Sequence, residues 1–196
     1  MSTDTVVRTP RLLLRPLEMS DVPALWPFVS DEDFPRHMTW EAHRSPEETA
    51  AFIQSTEEDR TQGSNIAWGV VELGDGTGDR SADRLAGVVG LHGISRTVRA
   101  WRVDRAELGY WIGPPFQNRG FATEAASAAI GYAFEDLGLH KVTVGCIVEN
   151  TASRRVIEKL GFRFLGEQRD HAFRFGRWWN HLAYEMCVQE WRGEPG

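Results

Sequence analysis

Residues 113–120, Gly113-Pro114-Pro115-Phe116-Gln117-Asn118-Arg119-Gly120, join an alternating apolar run to a long stretch of small residues at helical spacing. A turn that feeds a helix start presents backbone N–H groups without intrahelical partners at the positive end of the helix dipole. Such a place takes anions, and a diphosphate is its natural ligand. Gly120 lets the backbone approach phosphate oxygens with no Cβ in the way, and Arg119 adds a positive charge at the rim. The turn lacks the Gly-Lys-Ser/Thr ending of a nucleoside-triphosphate loop. The glycine pattern of a dinucleotide fold is also missing, and the turn comes late in the chain rather than after its first strand. Residues 74–83 carry glycines too, but no strand–loop–helix context surrounds them. They read as a polar, mobile hairpin loop.

Other chemistries find less support. His37, His43, His92, His140, His171 and His181 include no i,i+4 pair and no carboxylate motif, so no metal site is expected. Serine, histidine and aspartate occur without a nucleophile elbow. Cys146 and Cys187 lie far apart in strand-like apolar surroundings, which favours buried free thiols over a disulfide or a nucleophile.

The elements that must position the turn follow from periodicity and punctuation. Residues 11–17 read as a strand, placed at a sheet edge by Pro16. Ser20 and Asp21 cap a helix carrying Val22, Leu25, Trp26 and Val29. A loop over 31–44 leads to the helix start Ser45-Pro46-Glu47-Glu48, whose helix runs to about Gln62 and ends at Gly63. Strands are expected over 66–73, 85–91 and 104–112. The longest helix follows the turn, with Ala122, Ala125, Ala126, Ala129, Ile130, Ala133, Phe134 and Leu137 on one face and Gly138 closing it. Residues 141–148 alternate as a strand, and a short helix covers 152–160 before Gly161. The tail offers strands near 162–166, 172–175 and 181–188. The order is that of a mixed α/β fold without repeat or linker, a single domain over 1–196.

Three motifs in the right order carry a resemblance. Gln117-x-x-Gly120-x-Ala122 matches the Gln/Arg-x-x-Gly-x-Gly/Ala acetyl-CoA motif of the GNAT acetyltransferase superfamily. Ala106-Glu107-Leu108-Gly109-Tyr110-Trp111, the helix start Gly120-Phe121-Ala122-Thr123-Glu124-Ala125, and Asn150-Thr151-Ala152-Ser153 with Glu158-Lys159-Leu160-Gly161-Phe162 resemble its ribosomal-protein N-terminal acetyltransferase (RimJ/RimL-like) branch, as does Thr9-Pro10-Arg11-Leu12-Leu13-Leu14-Arg15. The resemblance covers nearly the whole chain. It implies a central, mostly antiparallel sheet flanked by helices, with the strand ending at Trp111 and Ile112 splayed from the strand over 141–148 to admit pantetheine.

On the same resemblance, acetyl-CoA is the co-substrate. Gln117, Asn118, Arg119, Gly120, Phe121, Ala122 and Thr123 surround its diphosphate, an N–H near Trp111 polarises the thioester carbonyl, and Asn150 and Ser153 flank the pantetheine and sulfur. Glu107 is the candidate general base for an amine acceptor; its plainer reading is a solvent-facing carboxylate or a salt bridge to Arg102 or Arg105. Many relatives carry a tyrosine seven residues after the asparagine, where this chain has Ile157. Ser153 is the nearest substitute for protonating the thiolate, although a hydrogen bond or helix cap is its simpler role. Phe34 and Trp40 lie in the loop that borders the acceptor site in the resembling family, whereas Trp26, Trp111 and Trp191 read as packing residues. Trp178 and Trp179 cap the pocket or form a subunit contact. The expected reaction is acetyl transfer from acetyl-CoA to a primary amine, a protein N-terminus or small molecule, in a ternary complex. The alternatives are a CoA-sensing module without turnover and a nucleotide-binding protein that prefers ATP.

Composition narrows the partners. The formal net charge of −6 argues against a protein that coats nucleic acid and suits a cationic acceptor. No apolar run approaches the roughly 18 residues of a membrane span, and Met1-Ser2-Thr3-Asp4-Thr5 has no secretory signal pattern. A cytoplasmic protein is expected, and the resemblance makes a homodimer plausible.

Overall fold

The computed structural model describes residues 5–74 and 83–193. Its elements are β1 (Val7–Arg8), β2 (Leu12–Pro16), α1 (Val22–Val29), α2 (Pro46–Gln62), β3 (Ile66–Glu72), β4 (Arg84–Val98), β5 (Trp101–Ile112), α3 (Phe121–Glu135), β6 (Lys141–Ile147), α4 (Thr151–Lys159), β7 (Arg163–Arg174), β8 (Arg177–Cys187) and α5 (Val188–Trp191). Short 3-10 turns cover Met19–Asp21, Phe34–His37 and Pro114–Phe116. Eight strands form one sheet in the order β1-β2-β3-β4-β5-β6-β8-β7. Every neighbouring pair is antiparallel except β5 and β6.

Strand alternation splits the core into two layers. Leu12 and Leu14 of β2 face the side that holds α3 and α4, with Trp68, Val70, Val89, Leu91, Ala106, Leu108, Val142 and Val144. Leu13 faces the other side, with Leu25 of α1, Ile53 of α2, Ala67, Val71 and Val88. α3 presents Ala125, Ala126, Ala129 and Ala133, all 0% exposed, so the helix backbone packs close on the sheet.

The functional consequence lies between β5 and β6. They pair only at Arg105↔Lys141, Ala106↔Val142 and Glu107↔Thr143. β5 continues against β4 as far as Ile112↔Gly87, while β6 continues against β8 as far as Ile147↔His181. Beyond Glu107 and Thr143 the two strands therefore diverge, each held by its outer neighbour, and the expected splay is present.

Several expectations are corrected. β2 is not the edge, because β1 lies outside it; β1 opposes only Leu13 and Leu14, leaving Pro16 with one neighbouring strand, where a missing N–H is tolerated. The longest helix is α2 with 17 residues, against 15 in α3. Ser45 has N-cap backbone geometry but its side chain accepts no cap bond; Glu48 instead accepts from the Arg44 N–H at 2.7 Å. The two tail segments near 162–166 and 172–175 are one strand, β7, which carries irregularities at Phe164/Gly166 and Gln168/Ala172. Its polar middle looked like a loop, but an exposed edge strand has no buried face to demand alternation. β8 begins earlier than expected, and α5 had no sequence signal. The expected mobile loop falls, at residues 75–82, outside the described residues.

Candidate active site

The turn after β5 is built by one bond to β4 and by bonds within the turn. The Gly113 N–H donates to the Ala86 carbonyl at 2.8 Å, the Phe116 N–H to Gly113 at 2.9 Å, and the Gln117 amide to the Ile112 carbonyl at 2.8 Å. Gln117 thus braces the turn with its side chain. Asn118 at φ 59° and Gly120 at φ 82° then reverse the chain into α3. Phe121, Ala122 and Thr123 form the first helical turn, whose N–H groups have no intrahelical partner. The surroundings are held electrostatically. Glu124 accepts from the Thr9 hydroxyl at 2.6 Å and the Arg11 Nε at 2.7 Å, and Arg11 donates to the Arg119 carbonyl at 3.0 Å. Burial pushes the Glu124 carboxyl up, but the Thr9 and Arg11 bonds prevail and hold it below its ordinary value. Arg119 pairs with Glu72 and lies 4.5 Å over the Phe121 ring. Its hydrogen bond keeps the Glu72 carboxyl low. Arg119 therefore arrives at the rim already oriented.

On the α3/α4 side of the splay, the Asn150 side chain accepts from the Ser153 N–H at 3.1 Å and caps α4. Asn150 is thus the cap, and the cap role weighed for Ser153 is corrected. The Ser153 hydroxyl lies 3.0 Å from the Tyr110 hydroxyl, which is also 3.2 Å from the Ser153 carbonyl. These contacts bridge β5 to α4 beside the splay. Burial pushes the Tyr110 phenol up to about 12 against the Ser153 hydrogen bond, so it stays protonated. Ile157 is fully buried. Tyr110 was missed in the sequence; its signal was the shared face with Ala106, Leu108 and Ile112, which directs it to the helix side.

The opposite face holds a different set. Glu107 is exposed at the point where β5 and β6 part, opposite His92 on β4 and Thr143 on β6. Arg102 pairs with Asp104, and among the described residues the Glu107 side chain forms no hydrogen bond or ion pair. The salt-bridge reading of Glu107 therefore fails, and the carboxylate is solvent-facing. The His92 ring closes over Gly109, where an added Cβ would stand 3.0 Å from Nε2. Burial lowers its pKa, opposed by the charge of Glu107. Trp111, four residues along β5 from Glu107 and on the same face of the strand, packs edge-on to Phe34 at 5.5 Å and against Trp40 at 6.2 Å. The loop between α1 and α2 thus meets β5 through aromatic rings.

That loop is tied down from the far end of the sheet. Arg174, at the end of β7, donates to the carbonyls of Pro35, Met38 and Trp40 at 2.9, 2.5 and 2.9 Å. Trp179 of β8 is buried against His37 at 5.9 Å. Trp178 is exposed and packs on Phe173. Sequence reading gave no hint of Arg174, because its partners are backbone atoms about 135 residues away. Arg174→Ala is expected to remove about 2 kcal/mol of charge-assisted bonding and lower the unfolding midpoint by roughly 4–8 °C. An unchanged melting curve together with unchanged acceptor KM would show that the loop holds its shape without Arg174.

Among the described residues, no group of three His, Cys, Asp or Glu side chains could hold a metal ion, and no helix is long and apolar enough to cross a membrane. Cys146 is buried and Cys187 half-buried, and both are free thiols.

A sheet split between two parallel strands, with a glycine turn opening a helix beside the split, defines an acyl-CoA N-acyltransferase architecture. Residues 11–163 match the Acetyltransferase (GNAT) domain, and the chain belongs to this family. It is an acetyl-CoA-dependent N-acetyltransferase. The chain is 28% identical over 185 residues to the uncharacterized N-acetyltransferase YnaD of Bacillus subtilis (strain 168), covering 94% of this chain and 98% of that one. Over 104 residues it is 28% identical to the [ribosomal protein uS5]-alanine N-acetyltransferase of Escherichia coli (strain K12), covering 53% of each. It shares its fold with a spermidine N-acetyltransferase from Vibrio cholerae solved in complex with CoA and spermine, at TM-score 0.77 and 22% identity, covering 94% of this chain and 99% of that one.

Proposed function

We propose that the whole chain is one acetyltransferase domain of the ribosomal-protein (RimJ/RimL-like) branch, working in the cytoplasm and moving acetyl from acetyl-CoA to a primary amine by direct attack. The acceptor is a protein N-terminus or a small amine. The observation that carries this reading is an unpaired carboxylate, Glu107, at the point where β5 and β6 separate.

Backbone from Asn118 to Thr123 holds the diphosphate, with Gln117 bracing the turn and Arg119 at its rim. The pantetheine enters the splay beside Ile112, Asn150 and Ser153. An N–H near Trp111 faces the thioester carbonyl and stabilises the oxyanion. Glu107, directly or through one water, draws a proton from the acceptor ammonium. The amine nitrogen forms the new bond to the carbonyl carbon, the carbon–sulfur bond breaks, and its electron pair leaves with the thiolate. The Ser153 hydroxyl, which lies beside the Tyr110 hydroxyl, relays the second amine proton to the departing sulfur. Phe34 and Trp40 wall the acceptor side. A second copy of the chain is the proposed partner in a homodimer.

Thiol release from acetyl-CoA, measured across small amines and peptides with free N-termini, tests the reading. Release dependent on a primary amine is expected. Tight CoA binding with no release on any acceptor would favour a sensing module, which the isoleucine at 157 makes the specific rival.

A further inference from the structure

We propose that His181 is a second proton acceptor for the incoming amine, facing Glu107 across the splay; this rests on the acetyl-transfer reading above. His181 lies on β8, opposite Ile147 of β6 and Gln168 of β7. Its ring leans over Gly145: a Cβ at that position would overlap both Cε1 and Nε2 of the imidazole. Gly145 is two residues past Thr143, where the β5–β6 pairing ends, so the ring edge that carries Nε2 sits on the β6 wall of the opening. Glu107 stands on the β5 wall.

Both groups share the face that meets the loop between α1 and α2. Glu107 is on the face of Trp111, which packs on Phe34 and Trp40. His181 is on the face of Trp179, which packs on His37 of the same loop. The two titratable groups therefore lie on the same face of the sheet, one on each side of the opening.

The imidazole is also oriented. Nδ1 lies 3.3 Å from the Gln168 side-chain oxygen, and the His171 ring stacks on His181 at 4.5 Å. With Nδ1–H donating to Gln168, the lone pair resides on Nε2, the atom over Gly145. A base whose far nitrogen is fixed by a third group is the arrangement general-base chemistry requires. The groups around the ring are few. β7 supplies His171 and neutral Gln168, β6 supplies Gly145 and Ile147, the loop supplies His37, and Arg177 at the start of β8 is paired with Glu149. Glu107 is the carboxylate across the opening. Burial, then the neighbouring His171, lowers the His181 pKa, which favours the neutral ring that can accept a proton.

The step balances simply. An acceptor ammonium gives one proton to Nε2, leaving imidazolium and a neutral amine. The amine lone pair bonds to the thioester carbon, the sulfur leaves as thiolate with the carbon–sulfur electron pair, and the second amine proton passes to Glu107 as the amide forms and from there to solvent. The imidazolium then releases its proton to solvent. Glu107 holds the ammonium in place and shares the proton demand.

The test is the pH dependence of kcat for His181→Gln, with acetyl-CoA and an amine that the wild-type chain acetylates. In the wild type the acid limb of the profile should have its midpoint below 6.5. The variant should lose that limb and fall on the order of 100-fold in kcat, with CoA affinity unchanged. Gln168→Leu, which frees Nδ1, should move the midpoint and lower kcat less. If His181→Gln fails to bind CoA, the Gln168→Leu profile decides: a moved limb supports the inference and a wild-type limb overturns it. Wild-type kcat and profile in His181→Gln overturn it as well. If Glu107→Gln is impaired while His181→Gln is not, the Glu107 reading stands alone; an unimpaired Glu107→Gln beside an impaired His181→Gln would leave His181 as the base.

Discussion

Glu107→Gln is expected to lower kcat on the order of 100-fold, while the KM for acetyl-CoA stays within about twofold of the wild type. Glutamine keeps the shape and the solvent-facing position of the side chain but accepts no proton and carries no charge. Glu107 makes no ion pair among the described residues, so its replacement leaves no partner stranded and the fold should melt at the wild-type temperature. The substitution also acts on His92, whose pKa the Glu107 charge raises against the lowering effect of burial. Without that charge the His92 pKa drops further, and any contribution of its protonated form moves to lower pH. The measurement is a full pH profile of kcat and kcat/KM. A wild-type profile in the variant would remove Glu107 from the mechanism.

Gly120→Val should act on the donor instead. Gly120 sits at φ 82°, where a side chain costs about 1–2 kcal/mol and more when β-branched. An added Cβ would meet only the Arg11 guanidinium, at 3.3 Å, so crowding is slight and backbone conformation is the dominant cost. Rotation of the turn to relieve it is expected to displace the N–H groups of Asn118 to Thr123, which the proposed function assigns to the diphosphate. CoA affinity is expected to fall about tenfold to 100-fold, equivalent to roughly 1.4–2.8 kcal/mol, with the acceptor-side variants unaffected. Calorimetric titration with CoA reads this directly. Unchanged affinity would sink the assignment of this turn to the diphosphate.

The elements around the proposed donor site were legible in the sequence because they are local. The strand over 104–112, the glycine turn and the alanine face of the following helix lie within one stretch of chain, and each carries its own signal of period, punctuation or residue size. The splay was legible only through the resemblance, since divergence of two strands is a property of their outer neighbours, β4 and β8. The acceptor side was much less readable. Arg174 bonds to three carbonyls, and carbonyls have no letter in a sequence. Tyr110 and Ser153 meet across 43 residues, and His181 gains its place from a glycine on a different strand. β7 was broken in two because its polar centre was judged by the alternation of a half-buried strand, a rule that an exposed edge does not obey. The helix cap is similar: the sequence sets Asn150 and Ser153 three residues apart, and only the geometry assigns the capping oxygen to the asparagine.

The hold of Arg174 on the loop has a consequence for how this enzyme can change. The family match ends at residue 163, and β7 and β8 follow it, yet their tip fixes the backbone that walls one side of the cleft. None of these bonds touches the turn from Gln117 to Thr123. On the proposed assignment, a lengthened or rebuilt hairpin is expected to change the acceptor side first, because Arg174 holds that loop and makes no bond to the turn. The hairpin bears on that side through backbone carbonyls of the loop, and the two sides meet where Phe34 and Trp40 pack on Trp111.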